Sequence, residues 1–317
     1  MVHYNTGGPR FTVILLGIFA LLLSSMAAAA ARAEPGAPRV AASIKPLQSL
    51  AAQVMQGVGT PEVIVHGAGS PHTYAMRPSE ERELTRADVV FWIGPAFERF
   101  LVKPVAGLAA RTVAMLDAPG VTVLAARRGG MWDSAGHEED VHLDSATDAD
   151  PHLFLDPRNA QAIVRAMAAT LRDADPAHAA AYGANADAAV ARLQALDREL
   201  AAELAPVQKI PYVVFHDGYQ YLERRYGLNA VGAVVVSPER PPGARRLAEI
   251  RDKIQSLHAA CVFAEPQFDS ALVRTVAEGT ARVGVLDALG SDLKPGPDAY
   301  GEMMRGLGRA LVSCLRG

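Results

Sequence analysis

The chain has 317 residues, with 31 Lys and Arg against 34 Asp and Glu for a net charge of −3, and half of its residues are hydrophobic. A mildly acidic surface excludes nucleic acid and anionic lipid as partners. The length exceeds one typical core, so two domains are expected.

Residues 1–33 read as a cleaved secretory signal peptide: Arg10 precedes an apolar run over 11–26, and small residues end at Ala31-Arg32-Ala33. The run is about 16 residues, short of the roughly 20 that a spanning helix needs. No cysteine lies near the cleavage point to mark a lipoprotein. The mature chain is therefore expected free of a membrane anchor, in the periplasm, with Arg10 and Arg32 gone and its net charge lowered from −3 to −5.

From residue 40 short β-rich runs alternate with helical stretches. Residues 40–44, 62–65, 89–93, 112–116 and 121–124 read as strands, and 47–55 and 80–87 as helices, with Ser79 as N-cap of the second. Residues 127–150 break the pattern with Gly129, Gly130, Gly136, seven acids, His137 and His142, and hardly any apolar residue. Such a segment cannot bury enough surface to order itself and reads as a mobile acidic loop.

A helix over 159–173 follows, and then a longer, alanine-rich one over 176–204, which Pro176 opens and Pro206 closes. At 1.5 Å per residue the second spans roughly 43 Å, enough to bridge two lobes. Beyond it strands are expected at 212–215, 230–236, 260–264 and 282–286, and helices at 244–257, 270–279 and 300–315. The expected fold class is α/β, with two parallel-sheet βα lobes joined by one long backbone helix. The expected domains are an N-terminal lobe over 34–175, a linker helix over 176–205 and a C-terminal lobe over 206–317. Ligands of open parallel sheets sit past the carboxyl ends of the strands, here in the cleft between the lobes.

Nine histidines are present. His3 leaves with the signal peptide, His178 and His258 lie on helices without a partner pattern, and His66 borders a glycine-rich turn. His72, in Gly69-Ser-Pro-His-Thr-Tyr-Ala-Met-Arg-Pro-Ser79, follows a strand. His152 lies in the proline-flanked Asp150-Pro-His-Leu-Phe-Leu-Asp-Pro157, and His216 directly ends the strand before Asp217-Gly218. Any one of these alone is more often structural; three imidazoles together suit Zn²⁺ in tetrahedral geometry. Asp287, at the end of a strand, is the leading carboxylate for a fourth position, with a turn or cap role as the alternative. The two cysteines, Cys261 and Cys314, are expected to pair in an oxidising compartment, the alternative being two buried free thiols.

These segments, together with Ser43-Ile-Lys-Pro-Leu47, Ala87-Asp-Val-Val-Phe-Trp-Ile-Gly94, Phe263-Ala-Glu-Pro-Gln-Phe268 and Gly284-Val-Leu-Asp-Ala-Leu-Gly290, resemble the zinc-uptake solute-binding proteins of bacterial ABC transporters, the ZnuA-like group. The resemblance covers the whole mature chain in order. It implies a monomeric, non-enzymatic protein that binds Zn²⁺ between two lobes, moves little on binding and delivers its metal to a membrane permease. His72, His152 and His216 fall on the family's ligand positions, and Cys261 and Cys314 where zinc members carry a disulfide. Similar manganese binders place a glutamate at the position of His216, so a third imidazole favours zinc over manganese or iron. Pro71 stands where some zinc members have a glutamate able to fill the fourth position, which leaves Asp287 or water. The acidic segment also resembles the family's, with His137 and His142 as an auxiliary metal site or as part of a solvated loop. A zinc hydrolase is the rival from another class, since three histidines and an open position also hold catalytic zinc. No Glu neighbours these histidines in a zincin-type pattern to serve as its base.

Overall fold

The computed structural model describes residues 1–3, 36–127, 149–235 and 242–317; the expected signal peptide and most of the acidic segment, with His137 and His142, lie outside them. In the first lobe β1 (Val40–Ala42), α1 (Lys45–Val54), β2 (Glu62–Val63), α2 (Pro78–Arg86), β3 (Val89–Trp92), α3 (Val102–Ala106) and β4 (Arg111–Ala114) follow one another. The strands pair in the order β2-β1-β3-β4, all parallel. α4 (Pro157–Ala174) and the long α5 (Ala179–Leu204) come next. The second lobe then repeats the plan with β5 (Tyr212–His216), α6 (Gln220–Tyr226), β6 (Ala230–Val235), α7 (Ala244–Ser256), β7 (Cys261–Ala264), α8 (Ala271–Ala277), β8 (Arg282–Val285) and α9 (Ala299–Arg316). Its sheet has the order β6-β5-β7-β8, again parallel throughout.

Strand side chains alternate between two apolar environments, because both faces of a parallel sheet are covered. Val40, Ala42, Val89 and Phe91 in the first sheet, and Tyr212, Val214, Cys261 and Phe263 in the second, share one continuous core. Leu47 and Leu50 of α1, Ile163 of α4, Leu193 and Leu200 of α5 and Leu311 of α9 complete it. The opposite faces form separate clusters. Ala41, Val90 and Trp92 pack with Leu84 of α2 and Val105 of α3, and Val213, Phe215 and Val262 pack with Ile250 of α7 and Val273 of α8.

The bridging role expected of the long helix is visible in its partners. α5 buries Tyr182, Ala186, Ala189, Leu193, Leu196, Leu200 and Leu204, three or four residues apart, on one face. Near its start Asn185 Nδ2 donates to the carbonyls of Val54 and Gln56 (3.0 and 2.8 Å); near its end Asp197 pairs with Arg225 and Glu199 with Arg305. It therefore touches the first lobe with one end and the second with the other. The disulfide Cys261–Cys314 ties β7 to α9.

Three local expectations are corrected. Residues 121–124 are not a strand: Thr122 N donates to Asn159 Oδ1 (2.8 Å) and Leu124 N to the Tyr221 hydroxyl (2.9 Å), so side chains take the amides a ladder would use. Arg77, not Ser79, occupies the N-cap of α2, its amide donating to Glu80 Oε2 at 2.8 Å. Pro78 in the first turn starts the helix earlier, since its fixed φ suits that position. The helices α3 and α6, with 5 and 7 residues, have too few turns to show a periodicity in the sequence.

Candidate metal centre

In both sheets the chain leaves the central strand in opposite directions, to β2 then β3 and to β6 then β7, which opens a crevice at the carboxyl ends of β1/β3 and β5/β7. His216 is the last residue of β5. His72 lies between β2 and α2, and His152 directly precedes the short 3-10 turn Leu153–Leu155. The three rings meet. His152 Nε2 is 3.3 Å from His72 Nε2 and 3.2 Å from His216 Nε2. Two nitrogens bound about 2.05 Å from one tetrahedral ion stand about 3.3 Å apart, so the spacing suits a shared Zn²⁺.

Gly218 supplies a second test of fit. A Cβ there would lie 2.6 Å from His216 Nε2 and 3.1 Å from His152 Nε2, so only glycine leaves room beside these nitrogens. Phe97 packs its edge on His72 and His152, with centroids 4.8 and 5.2 Å away, and Phe268 borders His216. Apolar walls of this kind restrict solvent access to the site.

Two carboxylates that sequence reasoning left without a role stand behind the rings. Asp150 Oδ1 is 2.8 Å from His152 Nδ1 and also accepts from the His152 amide at 3.0 Å. Glu265, the residue after β7, lies 2.6 Å from His216 Nδ1. The sequence signal for both was position: Asp150 precedes its histidine by two residues, and Glu265 ends the strand next to that of His216. Burial, with the neighbouring rings of His152 and His216, holds His72 well below the usual histidine pKa. Burial alone would lower His216 too, but the charge and hydrogen bond of Glu265 prevail and raise it.

Asp287 stands apart from the three rings, which alone form a ligand-competent group among the described residues. Its carboxylate accepts from Leu289 N (3.2 Å), Ser291 N (2.5 Å), Ser291 Oγ (3.1 Å) and Gln267 Nε2 (3.1 Å). That turn presents the carbonyls of Gly290 and Ser291 to Lys45 Nζ of the first lobe (2.5 and 2.9 Å). Across the site Arg127 pairs with Asp217 and Glu223, and the Tyr221 hydroxyl donates to Asp150 O at 2.8 Å. The lobes are thus tied by several contacts besides the rings. His66 is exposed, and His178 bonds Asp175 at 2.7 Å beside the start of α5.

Two parallel α/β lobes, a long connecting helix and three converging imidazoles define a solute-binding protein whose ligand is a metal ion. The chain belongs to the family described as zinc-uptake complex component A, periplasmic, which matches residues 40–314. It is 47% identical over 304 residues to the high-affinity zinc uptake system protein ZnuA of Brucella abortus, covering 87% of this chain and 91% of that one. The protein of the same name from Paracoccus denitrificans is 37% identical, covering 93% and 97%. A zinc-bound ZnuA deletion mutant of known structure superposes with a TM-score of 0.72 at 25% identity, over 88% of this chain and 98% of the other. No helix among the described residues is long and apolar enough to cross a membrane.

Proposed function

We propose that this protein captures Zn²⁺ in the periplasm through His72, His152 and His216 and delivers it, as a monomer, to the membrane permease of an ABC importer. The convergence of three ring nitrogens within 4.8 Å of one another, with His152 Nε2 3.3 and 3.2 Å from the other two, carries the reading, and the relatives named for high-affinity zinc uptake support it. Residues 1–33 direct export and are removed. Nitrogen-only donors favour Zn²⁺ over Mn²⁺, which prefers oxygen. Water completes the tetrahedron while Asp287 stays with its turn, where its four hydrogen bonds serve the seat of Lys45. The protein does no chemistry: Asp150 and Glu265 face the Nδ1 side of the rings, so neither is placed as a base for a metal-bound water.

The test is Zn²⁺ affinity by chelator competition. His72→Ala, His152→Ala and His216→Ala each weaken binding by at least tenfold, whereas Asp287→Asn costs less than tenfold. A histidine variant with wild-type affinity removes that residue from the site. Ester or CO₂ turnover by the zinc-loaded protein sinks the non-enzymatic reading.

A further inference from the structure

The three ligands are not equivalent. A carboxylate only accepts hydrogen bonds, so the ring nitrogens facing Asp150 and Glu265 carry the protons. A neutral imidazole has a single N–H, which leaves Nε2 of both His152 and His216 as bare lone pairs. These sit 3.2 Å apart, a spacing that suits a cation held between them. Both carboxylates are nearly fully buried, at 3% and 4% exposure, and Asp150 Oδ2 has no hydrogen-bond partner. Buried charge of that kind calls for compensation. Two negative charges behind neutral rings balance the two positive charges of Zn²⁺.

His72 is built differently. No carboxylate bonds its ring among the described residues, where its Nε2 meets His152. It rides on a segment containing Gly67, with φ +62°, and Gly69, rather than on a strand end.

We propose that Asp150 and Glu265 are positioning residues that hold His152 and His216 as a preorganised, charge-matched pair of Nε2 donors, and that His72 is the ligand that joins zinc last and releases it first. This rests on the three-histidine reading and adds an order to it. Zinc delivery then starts with one ring moving, while the pair stays in place.

The experiment uses the full mature protein with Zn²⁺ alone, comparing Asp150→Asn, Asp150→Ala, Glu265→Gln and Glu265→Ala with the three histidine-to-alanine variants. Affinity is read by chelator competition, release by stopped flow into excess chelator, and ring tautomers by long-range ¹H–¹⁵N spectra of the zinc-free, folded proteins. Each carboxylate variant binds about 10- to 100-fold more weakly. The alanine variants also shift the partner ring away from the Nδ1–H tautomer; the amides, whose oxygen still accepts, keep it. Among the histidine variants, His72→Ala retains the most affinity and releases zinc at least tenfold faster, with association changed less than twofold. Carboxylate variants within twofold of wild type, or tautomers unmoved in the alanine variants, overturn the positioning roles. His72→Ala as the most damaging histidine variant overturns the order of release. Wild-type binding by all three histidine variants instead refutes the site itself.

Discussion

His216 concentrates the metal preference in one side chain. It ends β5, so its ring projects into the crevice from a rigid strand. Exchanging this nitrogen for a carboxylate oxygen changes the donor set toward the one Mn²⁺ favours. His216→Glu is therefore expected to lower the Zn²⁺ to Mn²⁺ preference in competition titrations, and an unchanged ratio rejects the argument. Gly218 gives a cleaner case of space. Its backbone lies outside the left-handed region, so alanine is no strain on the chain, yet its Cβ would stand 2.6 Å from His216 Nε2. Gly218→Ala should keep the native circular dichroism of the zinc-free protein while lowering zinc affinity more than tenfold. Normal affinity would show that the rings can move aside.

The elements that hold the lobes together act through a few buried pairs. Arg127 leaves the first lobe to meet Asp217, the neighbour of His216, and Glu223 of α6, which is 5% exposed. Burial pushes the Glu223 carboxyl up to about 7, and Arg127 opposes that rise. A carboxyl raised in the folded state contributes stability below its unfolded value, near 4.5, and loses it as pH rises through about 7. Above that pH the ionised Glu223 depends on Arg127. Arg127→Ala should thus cost about 3 kcal/mol at pH 8 and clearly less at pH 5, where the carboxyl is neutral, by denaturant unfolding. An equal cost at both values would contradict the pairing. Elsewhere the Cys261–Cys314 bridge closes a loop across 53 positions of sequence, between β7 and α9. In the chain-entropy account this stabilises by roughly 4 kcal/mol. The double variant Cys261→Ser, Cys314→Ser should lose about that much, and a loss under 1 kcal/mol would assign the bridge another role.

For the whole molecule, a ligand that binds only the folded state stabilises it by RT ln(1 + [L]/Kd), about 4 kcal/mol at a thousandfold excess over Kd. Zinc should therefore raise Tm clearly, and a chelator should abolish the rise. The ligands bind as neutral imidazoles, so protons compete. His216 holds its proton to higher pH than usual because Glu265 outweighs burial, whereas His72 stays neutral well below 6.5. In the zinc-free protein the two oppose each other. The stability from His216 is present below its unfolded value and lost as pH rises through the folded one; that from His72 is present above about 6.5 and lost on acidification. The zinc-induced rise in Tm should shrink between roughly pH 7 and pH 5, with His216 protonating before His72. A rise independent of pH would place the metal on other donors. Removing residues 129–149 should leave it largely intact, since the three rings lie outside that segment.

The alternation of strand and helix, the long helix and the candidate histidines were legible in the chain because they depend on local pattern. Apolar runs bounded by Gly and Pro mark strands wherever both sheet faces are covered; His216 ends such a run, while His72 and His152 lie in proline-marked connections between elements. The pairing of Cys261 with Cys314 followed from there being just two thiols in an exported chain. What lay beyond reach depends on contacts made across the fold. The amides of residues 121–124 go to Asn159 and Tyr221, side chains far away in sequence. Asp287 follows β8 where a ligand could stand, yet its oxygens serve Ser291 and Gln267. Glu265 reaches His216 only because β7 pairs with β5, and Gly218 matters only because two rings converge on the space its missing Cβ leaves. Local sequence decides which residues end at a strand tip; the packing of two sheets on one core decides which of those tips meet, and so which donors share an ion.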